Sequence, residues 1–107
     1  MRANICIQGV NIIHAHHFWQ RLIGLMGRRT LPTDQGLWLS PCSSVHTGFM
    51  RFAIDVVFLD KAGTIVSIVP GLRPWRAAIA RRAHSCLELS SGNAERLGLE
   101  PGQQLIK

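Results

Sequence analysis

Acidic residues are scarce in this sequence. Six aspartates and glutamates stand against twelve lysines and arginines in 107 residues, giving a formal charge of +6 and a pI near 10.7. That imbalance points toward polyanionic partners such as nucleic acid, anionic lipid or phosphorylated ligands. A solvated basic rim that keeps the chain soluble accounts for the same charges. Cysteine is sparse too: Cys6, Cys42 and Cys86 make an odd count without paired spacing, which excludes a disulfide framework and suggests a reducing, cytoplasmic setting. No apolar stretch approaches the ~20 residues that cross a bilayer as a helix. Met1-Arg2-Ala3-Asn4-Ile5 also lacks the apolar run of a secretory signal. The expectation is a soluble, cytoplasmic protein without a membrane span. Tyrosine is absent altogether, which excludes no function class. Charged residues make up 17% against 47% hydrophobic, a balance that excludes disorder. With no repeat, low-complexity run or linker, residues 1–107 read as one domain.

Hydrophobic periodicity sets the expected elements. Asn4 to Ile13 alternates as a strand or hairpin interrupted at Gly9. From His17 to Gly27 the period changes, with Phe18, Trp19, Leu22, Ile23, Leu25 and Met26 on one helical face. Gly27 suits the C-terminal cap, and Arg28 and Arg29 complement the helix dipole. Leu31 to Gly36 reads as a loop. Gly36 to Ser40 reads as a short strand, with Leu37 and Leu39 on one side and Trp38 on the other. Ile54 to Asp60 and Thr64 to Val69 are rich in β-branched residues and are joined by Asp60-Lys61-Ala62-Gly63, a hairpin turn. Both strands are apolar nearly throughout, so both faces are expected to be covered. Pro70 to Arg82 reads as a loop, His84 to Leu89 as a strand, Ser91 to Gly98 as helical turns, and the chain ends in a strand through Leu105-Ile106. The fold class is α+β and β-rich: a small barrel-like mixed sheet with one main helix and short helical turns.

The run Arg21-x-x-Gly24-Leu25-Met26-x-Arg28, followed by His46-Thr47-x-x-Met50-Arg51-Phe52-x-Ile54-Asp55-Val56-x-Phe58-Leu59-Asp60, resembles the domain-of-unknown-function family 192. Pro74-Trp75-Arg76, the Leu87-Glu88-Leu89 strand and Gly98-Leu99-x-Pro101-Gly102 sit where that family has similar elements. The resemblance runs from about Arg21 to Leu105. Ala53 departs from it, standing where related sequences usually carry a proline. The family implies a small β-barrel-like domain and supplies no established activity, and its members occur with and without export signals.

The polar residues gather before the Ile54 strand. Cys42, His46 and Asp55 are the chemical types of a nucleophile, a base and an orienting group, which would support acid-base or hydrolytic chemistry. Their spacing matches no catalytic signature, and whether the chain is an enzyme stays open. Cys42 and His46 with His14, His16 and His17 offer metal-ligand types. They lack the recurrent spacing of a zinc site, so no metal or cofactor is assigned. Asp55 sits at the head of an apolar strand and needs a partner if buried, with Arg51, Arg76 or His46 as candidates.

Met50 and Phe52 with Trp75 supply apolar walls, and Thr47 and Ser44 hydroxyls, of the kind that line a small-ligand site. Trp75 stands between Pro74 and Arg76, among Arg73, Arg76, Arg81 and Arg82, a setting suited to stacking on a base or an acidic ligand. A tryptophan pinning a long loop would produce the same pattern. The leading expectation is a binding or interaction domain for an unknown small ligand or protein partner. Its cleft would be lined by His46, Thr47, Met50, Asp55, Trp75 and Arg76. The runner-up is a small enzyme using His46 with Asp55 or Cys42 for acid-base or hydrolytic chemistry. Non-specific nucleic-acid binding through the Arg73 to Arg82 patch is the third reading.

Overall fold

Among the described residues two strands are buried on both faces, and the other elements are arranged around them. The computed structural model describes residues 9–15, 31–48 and 50–105. The strands are β1 (Asn11–Ala15), β2 (Gln35–Leu39), β3 (Ser44–His46), β4 (Ile54–Leu59), β5 (Ile65–Leu72), β6 (Ala77–Ile79) and β7 (Ser85–Ser90), followed by a short helix α1 (Asn93–Arg96). Five strands form one sheet in the order β1-β2-β7-β4-β5, while β3 and β6 pair as a separate ribbon. β1 runs parallel to β2 and the remaining pairs are antiparallel, so the sheet is mixed. Every residue of β4 and of β7 is buried. That is why Ile54-Asp55-Val56-Val57-Phe58-Leu59 reads as an apolar run instead of an alternating one.

Alternation along the central strands divides the interior in two. On one face Leu39, Val56, Phe58 and Cys86 pack with Val45 and Ala78 of the ribbon. On the other, Trp38, Val57, Leu59, Leu87 and Leu89 pack with Ala94 of α1 and with Leu105. The expected split of Leu37 and Leu39 from Trp38 is observed. Gly36 lies between neighbouring strands, where a Cβ would stand 2.9 Å from Leu89 Cδ2 and 3.0 Å from Ile12 Cδ1. The β4–β5 turn forms as its sequence implies. Asp60 Oδ1 accepts from Ala62 N at 2.9 Å and Thr64 N at 3.0 Å, and Gly63 takes φ 82.

The segment 70–82 differs from the loop expected of it. β5 continues through Pro70 and Gly71 to Leu72, and Ala77–Ile79 forms β6 against Ser44–His46. Among the described residues β5 is the outer strand of its sheet, a position that tolerates proline. The terminal strand is reduced to a single bridge between Thr64 and Gln104. The fold is β-rich with a mixed sheet, and among the described residues the strands do not close into a barrel. The helix expected over residues 17–27 lies outside the described residues, as does the strand expected before Gly9. No helix among the described residues is long and apolar enough to cross a membrane.

Candidate functional site

The ribbon formed by β3 and β6 carries Val45 and Ala78 inward and leaves Ser44, His46, Ala77 and Ile79 exposed. Its ladder continues past His46, where Thr47 N donates to Arg76 O at 2.8 Å. Between β5 and β6 the chain turns through Arg73, Pro74, Trp75 and Arg76. Proline at the second corner and a positive φ at the third, 62° at Trp75, follow the pattern of a type II turn. The third corner of such a turn is ordinarily glycine, because a Cβ there crowds the following peptide. Trp75 is the one non-glycine residue at positive φ among the described residues, and it is 59% exposed.

What holds the tryptophan in this conformation is Thr47, whose side chain is fully buried. Its hydroxyl accepts from Arg76 N at 2.9 Å and lies 2.6 Å from Arg73 O. Arg76 O is also within 2.9 Å of that hydroxyl, but a hydroxyl has one proton, and Arg76 O already receives Thr47 N–H. The proton is therefore assigned to the shorter contact, Arg73 O. No direct bond from Arg76 N to Arg73 O closes the turn. The threonine oxygen stands between the donor and acceptor that would otherwise meet, so the turn is closed through a side chain. Trp75 N donates to Thr47 O at 3.0 Å, and Met50 N donates to the same carbonyl at 3.2 Å.

Asp55 secures the end of β5 that leads into this loop. It is 1% exposed, with Oδ1 accepting Gly71 N at 2.8 Å and Oδ2 accepting Ala94 N at 2.9 Å. Gly92, at the N-cap of α1, brings no side-chain acceptor, so the carboxylate of β4 serves the first turn of the helix in its place. Of the partners expected for Asp55, namely Arg51, Arg76 and His46, none is used. Two backbone amides take their place, and sequence gives no sign of them because both are distant in the chain.

Of the residues singled out from sequence, His46, Thr47, Trp75 and Arg76 come together at the β5–β6 loop and the adjoining end of the ribbon. Met50 is buried in the core beneath, with Val45 and Ala78, and Asp55 lies behind the loop on the α1 side. His46 is exposed, and its Nδ1 accepts Gly48 N at 3.0 Å, which assigns the proton of the neutral ring to Nε2. Cys42 donates its thiol proton to Ser44 O at 3.1 Å. No hydrogen bond among the described residues joins His46 to Cys42 or to Asp55. The Cys86 thiol lies 3.3 Å from Cys42 O within the core, as a filler, and Cys6 is outside the described residues. His14 stacks on Trp38 with ring centroids 4.5 Å apart, whereas His16 and His17 are outside the described residues. Among the described residues no three histidine, cysteine, aspartate or glutamate side chains gather.

Sequence reasoning missed Glu88. The alternation Cys86-Leu87-Glu88-Leu89 presents it as a polar position of a half-exposed strand. It is instead 1% exposed at the centre of the sheet, opposite Leu37 and Val56. Ser90 follows on the same face and is also buried.

A UPF0127 protein of Pyrococcus furiosus is 34% identical over 102 residues, covering 90% of this chain and 85% of its own length. Another, from Pyrococcus horikoshii, is 32% identical over 97 residues, covering 85% of this chain and 82% of its own. Among solved structures, a protein of unknown function from Novosphingobium aromaticivorans DSM 12444 matches with a TM-score of 0.79 at 21% identity, covering 92% of this chain and 74% of that one. A candidate transcription regulator from Sinorhizobium meliloti 1021 also matches with a TM-score of 0.79, at 26% identity, covering 92% of this chain and 81% of that one. The family model described as an uncharacterised ACR, DUF192, matches residues 2–106. With that match across nearly its whole length, and relatives that are themselves of unassigned activity, the chain belongs to the DUF192 family.

Proposed function

We propose that the protein is a non-catalytic binding domain whose recognition element is the Arg73–Arg76 loop with His46 beside it. The observation that carries this reading is Trp75: a large aromatic held at positive φ, 59% exposed, on a loop anchored by Thr47. A tryptophan in that conformation costs about 1–2 kcal/mol relative to glycine. A residue whose role was only to complete the turn would be glycine. Strain combined with exposure is the pattern of a contact residue. Arg73 and Arg76 flank it, both exposed, and suit a ligand that offers a planar face together with negative charge. The acid-base reading is not favoured, since Asp55 engages two backbone amides and His46 has no bond to it or to Cys42. The barrel-like enclosure, the cytoplasmic setting and the single-domain organisation expected from sequence remain parts of this proposal.

Trp75→Gly is the test. It removes the side chain while relieving the backbone, so unfolding free energy should stay within about 1 kcal/mol of the parent, with the relief offset by glycine's larger unfolded-state entropy. Wild type and variant, immobilised at equal density and exposed to the same cell extract, should differ by a species retained on the wild type alone. Equal retention on both, or nothing specific to the wild type, overturns the proposal. So does a loss of stability of about 3 kcal/mol or more, the range for a packed aromatic.

A further inference from the structure

Val66 and Ser67 of β5, with Ile79, Ala80, Arg81 and Arg82, line an open groove of about 290 Å³. It lies at the end of β6 away from Trp75, so it does not depend on the reading given for that loop. Arg81 and Arg82 are exposed and make no ion pair or side-chain hydrogen bond among the described residues. None of the chain's six acidic residues lines the groove. Two unopposed guanidinium groups therefore border a surface whose remainder is largely aliphatic, with Ile79 72% exposed.

The backbone explains both the shape and the kind of occupant. The β4–β5 register passes from Leu59 opposite Ile65 to Phe58 opposite Ser67, so Val66 is an extra residue in a bulge. The bulge turns Val66 and Ser67, neighbours in sequence, toward the same groove. A bulge and Pro70 on an outer strand also oppose the addition of a further long strand. Edge-to-edge pairing with a second copy of the chain would in addition bring like charges together. A nucleic-acid backbone would satisfy the arginines but leave Ile79 uncovered.

We propose that the groove binds an acidic peptide segment of a partner protein, seating one apolar side chain on Ile79 and Val66 and a neighbouring carboxylate on Arg81 and Arg82. Charge complementarity sets its orientation, and aliphatic contact separates it from phosphate-bearing ligands.

The test uses the full chain and a fluorescein-labelled, capped octapeptide alternating glutamate and leucine, followed by anisotropy. Saturable binding is expected, weakened about tenfold or more by Ile79→Ser, since an isoleucine contact is worth that much. Arg81→Glu with Arg82→Glu should have at least as large an effect. Trp75→Gly should have none. All these side chains are exposed, so thermal unfolding midpoints serve to confirm that each variant is folded. The proposal is overturned if the peptide does not bind, if Ile79→Ser binds it as the parent does, if an all-glutamate octapeptide binds equally well, or if an eight-nucleotide single strand binds more tightly at the same salt.

Discussion

Asp55→Asn is expected to lower the unfolding free energy by about 3 kcal/mol, because hydrogen bonds to a buried charged acceptor are each worth ~1.5–3 kcal/mol. The substitution keeps the shape of the side chain and one carbonyl oxygen, so one of the two amides, Gly71 N–H or Ala94 N–H, retains an acceptor. The other faces an amide NH₂, donor against donor, at a position 1% exposed where no solvent relieves it. For a chain of this size the unfolding midpoint should fall by roughly 12–24 °C. Thermal and urea unfolding measure the global loss. Amide hydrogen exchange locates it, with the first turn of α1 and the end of β5 opening most. A loss under about 1 kcal/mol would mean that the two bonds are dispensable and that Asp55 is available for another role.

Thr47→Val carries the second large effect, and Thr47→Ser separates its cause. Valine preserves the branched volume and places a methyl group where the hydroxyl bridges Arg76 N–H and Arg73 C=O. Both backbone groups then lose their partner beside a side chain that is fully buried, at a cost of about 2–3 kcal/mol. Serine keeps the bridge and loses only a methyl group, about 1 kcal/mol. The ratio of the two losses reports on the hydroxyl independently of packing. Exchange of the Arg76 amide should accelerate in the valine variant and stay near the parent in the serine one. Any partner retained through Trp75 should be lost with valine and kept with serine. If valine and serine destabilise equally, the turn closes without the hydroxyl and the latch is not what positions Trp75.

These two residues show how far the sequence could be taken. The segment from His46 to Asp55 is conspicuous in sequence because it is dense in polar side chains ahead of a buried strand. That density is real, but half of it faces inward: Thr47 and Asp55 are buried, His46 and Arg51 exposed. Thr47 and Asp55 bind backbone amides and a carbonyl of residues 16 to 39 positions away in the chain. No local pattern announces such bonds, since the acceptor is named in the sequence and the donor is any backbone N–H that folding brings near. The exposed elements, His46 and Trp75, were also singled out, yet which residues support and which display could not be told from composition. Glu88 illustrates the same limit. Its strand was expected, whereas its burial depends on both faces of β7 being covered by distant parts of the chain.

Local chemistry was sufficient for the β4–β5 hairpin. Asp60 and Gly63 dictate the turn and β-branched runs dictate the strands. The covered faces expected of both strands, however, are found only for β4. β5, equally apolar, lies outside it in the sheet and is largely half-buried, because among the described residues only β4 of the two has a strand on each side. It was insufficient for residues 70–82. Pro70, Gly71 and Pro74 imply irregular structure, and β6 has only the sequence Ala77-Ala78-Ile79 to recommend it. That strand exists because Ser44–His46 offers it a ladder and because Ala78 and Val45 together cover the sheet, a gain available only once the sheet has formed.

The sequence by itself determined the β-rich class, the family, the scarcity of negative charge and the position of the polar segment. Those follow from side-chain periodicity and composition, which act over a few residues. The tertiary structure decided what that segment does: a scarce carboxylate ties the end of β5 to α1, one hydroxyl closes a strained loop, and a tryptophan and two arginine pairs are left at the surface. The physical reason is that a buried polar group must find its partner wherever the fold supplies one, and only the assembled sheet determines where that is.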